Sequence, residues 1–166
     1  MTKESYIRLT QPFREHKKLA LALLIVNKAV TYLMPCLYVL LIAYYIMNKD
    51  VALERTLIVP LDGFIILSVV RFLINRPRPY EKFGIPPVIK KDTKGKSWPS
   101  RHVFSAVIIG MTYLLWSRFV YVGVFILVAA VFLMIVRVLS GVHYVSDVLA
   151  GYAIGVLAGL IGFIWI

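Results

Sequence analysis

Long apolar runs separated by short polar links make up most of the chain beyond residue 28. Each run approaches the length that a helix needs to cross a bilayer, and a helix satisfies its own backbone polar groups there. The runs lie at about 29–47, 56–74, 102–116, 119–136 and 148–166. The pattern predicts an all-α integral membrane helical bundle with five to six transmembrane helices.

Residues 1–26 form a more polar N-terminal segment. Basic and apolar side chains are mixed up to residue 18, which is typical of an amphipathic helix that lies on the membrane surface. Residues 19–26 are apolar, and they either extend the first span or dip partway into the bilayer. We expect residues 27–166 to form the bundle and the whole chain, 1–166, to be a single domain.

The composition agrees with a membrane protein. Of the 166 residues, 60% are hydrophobic, which is more apolar surface than a soluble domain of this length can bury. The net charge of +11 would suggest a nucleic-acid partner for a soluble protein. Because the charges lie at span ends, we expect the lipid bilayer and a phosphorylated lipid as partners, and no nucleic acid.

An antiparallel threading of the spans places the loop 75–101 and the link 137–147 at one face of the membrane. The links 48–55 and 117–118 then lie at the other face. The basic end of the second run, residues 71–78, also belongs to the first face. We therefore expect one phosphate-binding site, built from three separated segments, at this face.

Arg71 and Arg78 mark the basic end of the second run. A guanidinium binds phosphate oxygens in pairs and stays charged at any working pH. Arg71 lies about one turn inside the boundary, where an arginine needs an anionic partner or water, unless it reaches the headgroups. Arg76 either binds phosphate in the same way or is a plain juxtamembrane charge.

Ser100 and His102 lie where the third run begins. Ser100 suits the N-cap of a helix, whose free N–H groups would face an anion. His102 would then lie within the first turn, close to any phosphate held there. The alternative is an ordinary surface histidine.

Arg137, His143 and Asp147 form the most specific pattern. If His143 begins the last helix, Asp147 lies one turn later on the same face. The carboxylate would accept a hydrogen bond from one imidazole nitrogen and leave the other lone pair free to attack. Alternatively, Ser146 caps the helix and Asp147 only balances the helix dipole.

No carboxylate cluster accompanies the three histidines, so we expect no metal site and no cofactor. The charge of a phosphoryl group in transfer must then be offset by arginines and helix N-termini. The chain supplies both, which favours phosphoryl transfer. Asp62, which lies inside a span, is expected to make a polar contact within the bundle.

These residues resemble the type 2 phosphatidic acid phosphatase superfamily of membrane lipid phosphatases, which shares its site with vanadium haloperoxidases. The family pattern has three parts: Lys, six residues and Arg-Pro; Pro-Ser-Gly-His; and Ser-Arg, five residues, His, three residues and Asp. The chain keeps all three spacings, in residues 71–79, 99–102 and 136–147. It departs from the pattern at three positions, with Arg71 for Lys, Arg101 for Gly and Val136 for Ser.

The resemblance implies that His143 attacks phosphorus to form a phosphohistidine and that Asp147 orients it. His102 would protonate the leaving oxygen and then activate water. Arg101 would add a contact to a second phosphate or a headgroup. The phosphate oxygens would be held by side chains from all three segments: Arg71, Arg78, Ser100 and Arg137.

The resemblance further implies a metal-independent lipid phosphatase. Its substrate would be an isoprenoid diphosphate such as undecaprenyl diphosphate, phosphatidylglycerol phosphate, phosphatidic acid or the phosphates of lipid A. Two alternatives use the same residues: a lipid phosphotransferase with an acceptor other than water, and a phospholipid-binding or transport protein without hydrolysis. The oligomeric state stays open.

We expect a bacterial inner membrane protein with its active site at the extracytoplasmic face, as in most of the family. The loop 75–101 argues the other way, because it carries eight Lys or Arg residues against two acidic ones. Positively charged loops generally stay in the cytoplasm. Several of these charges are explained by phosphate binding, however, and are then poor markers of topology.

Overall fold

The computed structural model describes residues 1–165, and every regular element in that range is a helix. In chain order the helices are α1 (Lys3–Glu15), α2 (Lys17–Met47), α3 (Ala52–Ile74), α4 (Pro79–Phe83), α5 (Arg101–Trp116), α6 (Val120–Leu139) and α7 (Val145–Leu160). A π-helical turn, Ile161–Trp165, continues α7. The predicted all-α bundle is confirmed.

Helix α5 runs through the centre of the bundle. Its residues from Val103 to Tyr113 are buried, apart from the half-buried Ser105, because α2, α3, α6 and α7 all pack against it. In the described residues, four helical segments are long and apolar enough to cross a membrane, and they contain the four surrounding helices. α5 is apolar but has only 16 residues. The chain is an integral membrane protein with a short central helix.

A stripe of glycines brings α7 close to α5. Gly151, Gly155 and Gly159 are buried and lie four residues apart on one face of α7. A Cβ on Gly151 would lie 2.6 Å from the backbone oxygen of Ser100, so no larger residue fits there without a backbone shift. Small residues at this spacing let membrane helices pack closely. The stripe thereby places the start of α5 beside the start of α7.

Hydrogen bonds between helices tie the opposite end of the bundle. The Tyr45 hydroxyl donates to the carbonyl oxygen of Trp116 at 2.8 Å, and the Trp116 indole N–H donates to that of Ala52 at 3.0 Å. These bonds link the end of α5 to α2 and α3. The helices that carry the polar loops at one end of the bundle are thus hydrogen-bonded to each other at the opposite end.

The N-terminal segment divides at His16, which has extended backbone angles between α1 and α2. Residues 19–26 belong to α2, so they extend the first long helix rather than form a separate dip. The break therefore lies earlier than the segment boundary expected at residue 26. On α1, Tyr6 is fully buried, and its hydroxyl donates to the carbonyl oxygens of Gly141 at 3.3 Å and Ile85 at 3.4 Å.

Asp62 does not lie where the sequence suggested. Its side chain is exposed on α3 and lines an apolar groove between α3 and α7. The expectation of a polar contact inside the bundle was wrong, because the side chain lies on an exposed face of α3.

Candidate active site

The three segments singled out by their sequence meet at one end of the bundle. Backbone hydrogen bonds join the long loop to the link before α7, with the N–H of Val88 donating to the carbonyl of Ser140 at 2.9 Å. A second bond joins the starts of two helices, because the N–H of Ser100 donates to the carbonyl of Asp147 at 2.8 Å. Loop, helix starts and link therefore form one structural unit.

His143 and Asp147 form a buried pair at the centre of this unit. The Nδ1 atom of His143 lies 3.3 Å from Oδ2 of Asp147, and the two side chains are 2% and 0% exposed. His143 precedes α7, whose N-cap is Tyr144, so the pair forms across the helix start rather than along one turn. The backbone N–H of Tyr144 also donates to Asp147 Oδ2, at 3.0 Å.

Two further residues hold the Asp147 carboxylate. The Ser97 hydroxyl donates to Oδ2 at 2.5 Å, and Nη1 of Arg76 donates to Oδ1 at 2.8 Å. Arg76 therefore forms an ion pair with the carboxylate of the site and is more than a plain juxtamembrane charge. The same nitrogen donates to the Ser146 hydroxyl at 2.9 Å, and that hydroxyl makes no capping bond. The alternative in which Ser146 caps α7 is not observed.

Sequence reasoning assigned Ser97 no role and left Arg76 undecided. The two residues are 50 and 71 positions away from Asp147 along the chain. A local pattern carries no signal for contacts of this separation, since only the folded loop brings the groups together. In the structure, both residues donate hydrogen bonds to the carboxylate of the histidine–aspartate pair.

The second ring nitrogen of His143 faces a guanidinium. Nε2 lies 3.4 Å from Nη1 of Arg78, while Nδ1 is directed at the Asp147 carboxylate. Burial lowers the pKa of His143 to about 4, and the hydrogen bond to Asp147 opposes that shift. The ring is therefore neutral near neutral pH. If Nδ1 carries the proton that Asp147 accepts, Nε2 keeps its lone pair.

Arg78 and Arg71 are both buried, but they donate hydrogen bonds to different parts of the loop and the link. Nε of Arg78 donates to Gly95 at 3.1 Å and Nη1 to Val142 at 3.3 Å, which places this guanidinium between the loop and the link. Arg71 donates to the carbonyl oxygens of Pro99 and Lys96 through its two terminal nitrogens. The planar fork of one guanidinium thus donates to two carbonyls at once.

Two other predicted site residues have buried polar atoms without partners among residues 1–165. These atoms are the hydroxyl oxygen of Ser100 and Nε of Arg137. Ser100 takes the N-cap position of α5 as predicted, but its side chain makes no capping bond. Among the described residues, Nη2 of Arg137 contacts Thr31 alone, at 3.5 Å. Unpaired buried polar groups are rare and often mark the place of a ligand.

His102, in the first turn of α5, lies at the junction of two cavities. One has a volume of about 300 Å³ and is largely apolar, with Arg101 also at its wall; its other walls include Val30, Met34, Phe64, Ile109 and Leu133. The other has a volume of about 400 Å³ and includes Arg137. His102 is half-buried and close enough to His143 for their charges to interact. Arg101 is exposed, with its guanidinium 5.4 Å from the Phe64 ring centroid.

The site is strongly cationic. Within the described residues, no group of three or more His, Cys, Asp or Glu is arranged to hold a metal ion. Positive charge comes instead from the guanidinium groups around His143, and the first N–H groups of α5 add to it. Such a site can hold a phosphate group against a neutral imidazole.

The fold and the site together define a helical membrane protein with a buried histidine–aspartate pair inside a cluster of arginines. Residues 8–166 match the sequence model of the PAP2 superfamily, and the chain belongs to this superfamily. The family resemblance stated from the motifs is thereby confirmed. Membership supports a membrane phosphatase that acts on lipids.

Two solved structures share the fold. LpxE of Aquifex aeolicus has 17% sequence identity and a TM-score of 0.69, with 96% of this chain and 92% of that chain covered. A PAP2-type phosphatidylglycerolphosphate phosphatase of Bacillus subtilis has 22% identity and a TM-score of 0.72, with 96% and 83% covered. No curated protein sequence matches the chain.

Proposed function

We propose that the protein hydrolyses a phosphate group from a membrane lipid, without a metal ion, through a phosphohistidine at His143. One observation carries this proposal: the buried imidazole is held by Asp147 at Nδ1 while Nε2 faces the arginine cluster. An imidazole fixed in this way has its lone pair where a bound phosphorus atom would lie.

The reaction has two steps. Nε2 of His143 attacks phosphorus, the bond from phosphorus to the lipid oxygen breaks, and His102 gives a proton to that oxygen. Water then attacks the phosphohistidine, His102 takes the proton from the water, and inorganic phosphate leaves with His143 restored. Arg78, Arg137 and Ser100 would hold the phosphate oxygens, and the unpaired atoms of the latter two support this role.

Arg71 has a different contribution in this proposal. Its terminal nitrogens are engaged by the carbonyls of residues 96 and 99, so it positions the segment that carries Ser100. Its charge still lies near the site, close enough to Arg78 and Arg101 to interact with both. We propose that it acts on the phosphate through this charge and through the loop.

A lipid substrate is favoured by the apolar cavity beside His102. The leaving oxygen would lie next to this histidine, so the rest of the leaving group extends into the cavity between α2, α3 and α5. An isoprenoid or acyl chain fits such walls. We propose an isoprenoid diphosphate or a glycerolipid phosphate, the second by similarity to the Bacillus subtilis phosphatidylglycerolphosphate phosphatase.

We propose a bacterial inner membrane location with the site at the extracytoplasmic face. The cationic residues of the loop before α5 serve anion binding in this account, so their charge is a weak topology marker. A membrane-impermeant thiol reagent should label a Lys94→Cys variant on intact cells, in a Cys36→Ser background. Labelling only after the cells are opened would place the site in the cytoplasm.

Phosphate release from defined lipids by the purified protein in EDTA tests the activity. His143→Ala and His102→Ala should each lower turnover by about 100-fold or more, the usual scale for a missing nucleophile or general acid. Ser117→Ala, at the opposite end of the bundle, is the matched control and should keep full turnover. Unchanged turnover in the His143 variant would end the mechanism.

The same experiment separates the alternatives. A phospholipid-binding or transport protein would release no phosphate from any lipid in the panel. A phosphotransferase would transfer the labelled phosphoryl group to an added alcohol or phosphorylated acceptor in preference to water. Loss of activity in EDTA that Mg²⁺ restores would contradict metal independence.

A further inference from the structure

The link before α7, which carries the attacking histidine, has a buried backbone. Residues 140–144 are all buried, so the carbonyl oxygens there need hydrogen-bond donors. The long loop 75–101 supplies two of these donors. The backbone N–H of Val88 donates to the carbonyl of residue 140 at 2.9 Å, and the Arg78 guanidinium donates to that of residue 142 at 3.3 Å.

The carbonyl between these two is held by a residue of α1. Tyr6 is fully buried, and its hydroxyl donates to the carbonyl oxygen of Gly141 at 3.3 Å and to that of Ile85, in the loop, at 3.4 Å. Gly141 has a φ of 75°, and a Cβ atom there would lie 2.5 Å from the Tyr6 hydroxyl. The phenol therefore lies directly against the link, two residues before His143, and joins it to the loop.

The inner face of α1 holds this tyrosine in place. The buried Thr10 hydroxyl donates to the carbonyl of Tyr6 at 2.9 Å and accepts from Nε of Arg14 at 3.1 Å. Nη2 of Arg14 donates to the phenol oxygen at 3.4 Å, and the Phe83 ring packs on the phenol with 5.5 Å between centroids. Burial raises the pKa of Tyr6, and the charge of Arg14 opposes that shift. The hydroxyl therefore keeps its proton at neutral pH and remains a donor to the carbonyls.

The position of Nε2 of His143 depends on the ring and on the backbone that carries it. Asp147 sets the direction of the ring through Nδ1, at 3.3 Å. The link sets the point from which the side chain starts. Without the Tyr6 hydroxyl, the carbonyl of Gly141 would be buried without this donor, and the link would gain by shifting towards another one. Such a shift moves the attacking atom, and attack on phosphorus tolerates little displacement.

We propose that Tyr6 is a positioning residue, which holds the link so that Nε2 of His143 lies in line with the phosphorus atom. The proposal rests on the phosphatase function and makes α1, outside the three sequence motifs, a part of the chain on which the chemistry depends. The Tyr6 hydroxyl contacts the backbone of the link and of the loop, so it acts on the reaction through His143 rather than on the substrate directly.

The test measures the rate constant and the amplitude of phosphohistidine formation separately, by rapid quench in a His102→Ala background. The probe is labelled farnesyl diphosphate, whose leaving group, farnesyl monophosphate, needs no proton from His102. Tyr6→Phe keeps the ring and removes the hydroxyl. At saturating probe its rate constant should fall by about tenfold, the scale of one lost hydrogen bond. The amplitude and the half-maximal probe concentration should change by less than about twofold, because Ser100 and Arg137 belong to other helices.

Two matched variants separate positioning from a purely structural role. Tyr121→Phe removes the same hydroxyl from a tyrosine that is 91% exposed in the first turn of α6, and it should change neither rate constant nor amplitude. Thr10→Val removes a buried hydroxyl from the same face of α1. Because the partners of this hydroxyl lie on α1 itself, the rate constant should stay the same even where the thermal midpoint falls.

The remaining outcomes separate this proposal from the proposed function. If the His102→Ala protein forms no phosphohistidine, the phosphatase mechanism fails, and the positioning role fails with it. If phosphohistidine forms but Tyr6→Phe lowers only the amplitude, raises only the half-maximal concentration or changes nothing, the positioning role is overturned while the phosphatase stands. An equal loss of the rate constant in Thr10→Val would assign the effect to the docking of α1 as a whole and would also overturn the proposal.

Discussion

The Asp147 carboxylate shows how much of the site depends on single side chains. It accepts hydrogen bonds from the side chains of His143, Ser97 and Arg76 and from the backbone of Tyr144. A carboxylate with these donors stays ionised and fixed, so it orients the imidazole through Nδ1. These four contacts come from three segments, so Asp147 joins the loop and the link to the start of α7.

The ionisation of His143 gives a direct prediction at this scale. In a His16→Gln, His102→Gln variant, His143 is the single histidine, and its ring can be followed by NMR in micelles. The ring should remain neutral as the pH falls past 6.5 and take up a proton only near pH 4, because burial disfavours the charged form. The Nε2 lone pair is lost over that lower range.

The Asp147→Asn variant is the matched comparison. It removes the negative charge and weakens the hydrogen bond that favour the protonated ring, so the pKa of His143 should move lower still. A midpoint near 6.5 in the parent variant, or a higher midpoint after Asp147→Asn, would show that the pair is not buried as described.

At the scale of helices, the contact between α5 and α7 sets the geometry of the site. Ser100 opens α5 and Asp147 lies in the first turn of α7, and a backbone hydrogen bond joins them at 2.8 Å. That contact needs the two backbones to approach closely, which the glycine stripe of α7 permits. Helix packing therefore controls the position of the Ser100 hydroxyl, which we propose binds phosphate.

Gly151→Ala tests this link between packing and chemistry. The new methyl group would lie 2.6 Å from the backbone oxygen of Ser100, so the start of α5 has to shift. Because a displacement of ~1 Å at reacting groups can cost about 100-fold, we expect kcat/KM to fall on that scale while the protein stays folded. Size-exclusion chromatography and initial rates measure the two effects.

Ala153→Val, on the exposed face of the same helix, supplies the control for added side-chain volume. It should leave both the elution volume and the rate unchanged. Full activity in Gly151→Ala would mean that the contact between α5 and α7 does not position Ser100.

Part of the fold and of the candidate site could be predicted from the sequence, and part could not. The spacing of His143 and Asp147 predicted their contact, because both lie within a few residues of one helix start. The short central helix could be predicted as an apolar run. Its central position could not be predicted, because the pattern of apolar residues does not show which helix the others surround. Ser97 and Arg76 come from a loop without regular structure, where only tertiary contacts decide what each side chain meets.

For the whole molecule, the arrangement separates a polar end from an apolar body. The long loop before α5, the link before α7, α1 and the arginines of the candidate site gather at one end, while large apolar side chains such as Leu40, Ile66 and Phe132 are exposed along the helices. The lipid's headgroup would lie at the level of the site while its chain stays among the helices. This placement agrees with the proposal that the buried histidine acts on a membrane lipid.

The most direct test of the account is to trap the phosphorylated enzyme. In the proposed mechanism the His102→Ala variant lacks the group that activates water. Because a lipid monophosphate can leave from a diphosphate without the proton that His102 supplies, a labelled lipid diphosphate should leave a phosphoryl group on Nε2 of His143 after an alkaline quench. Mass spectrometry should find the modification at His143, and the His102→Ala, His143→Ala double variant should carry none. Turnover by the unchanged protein without any phosphohistidine, or a phosphoryl group on another residue, would contradict the central claim.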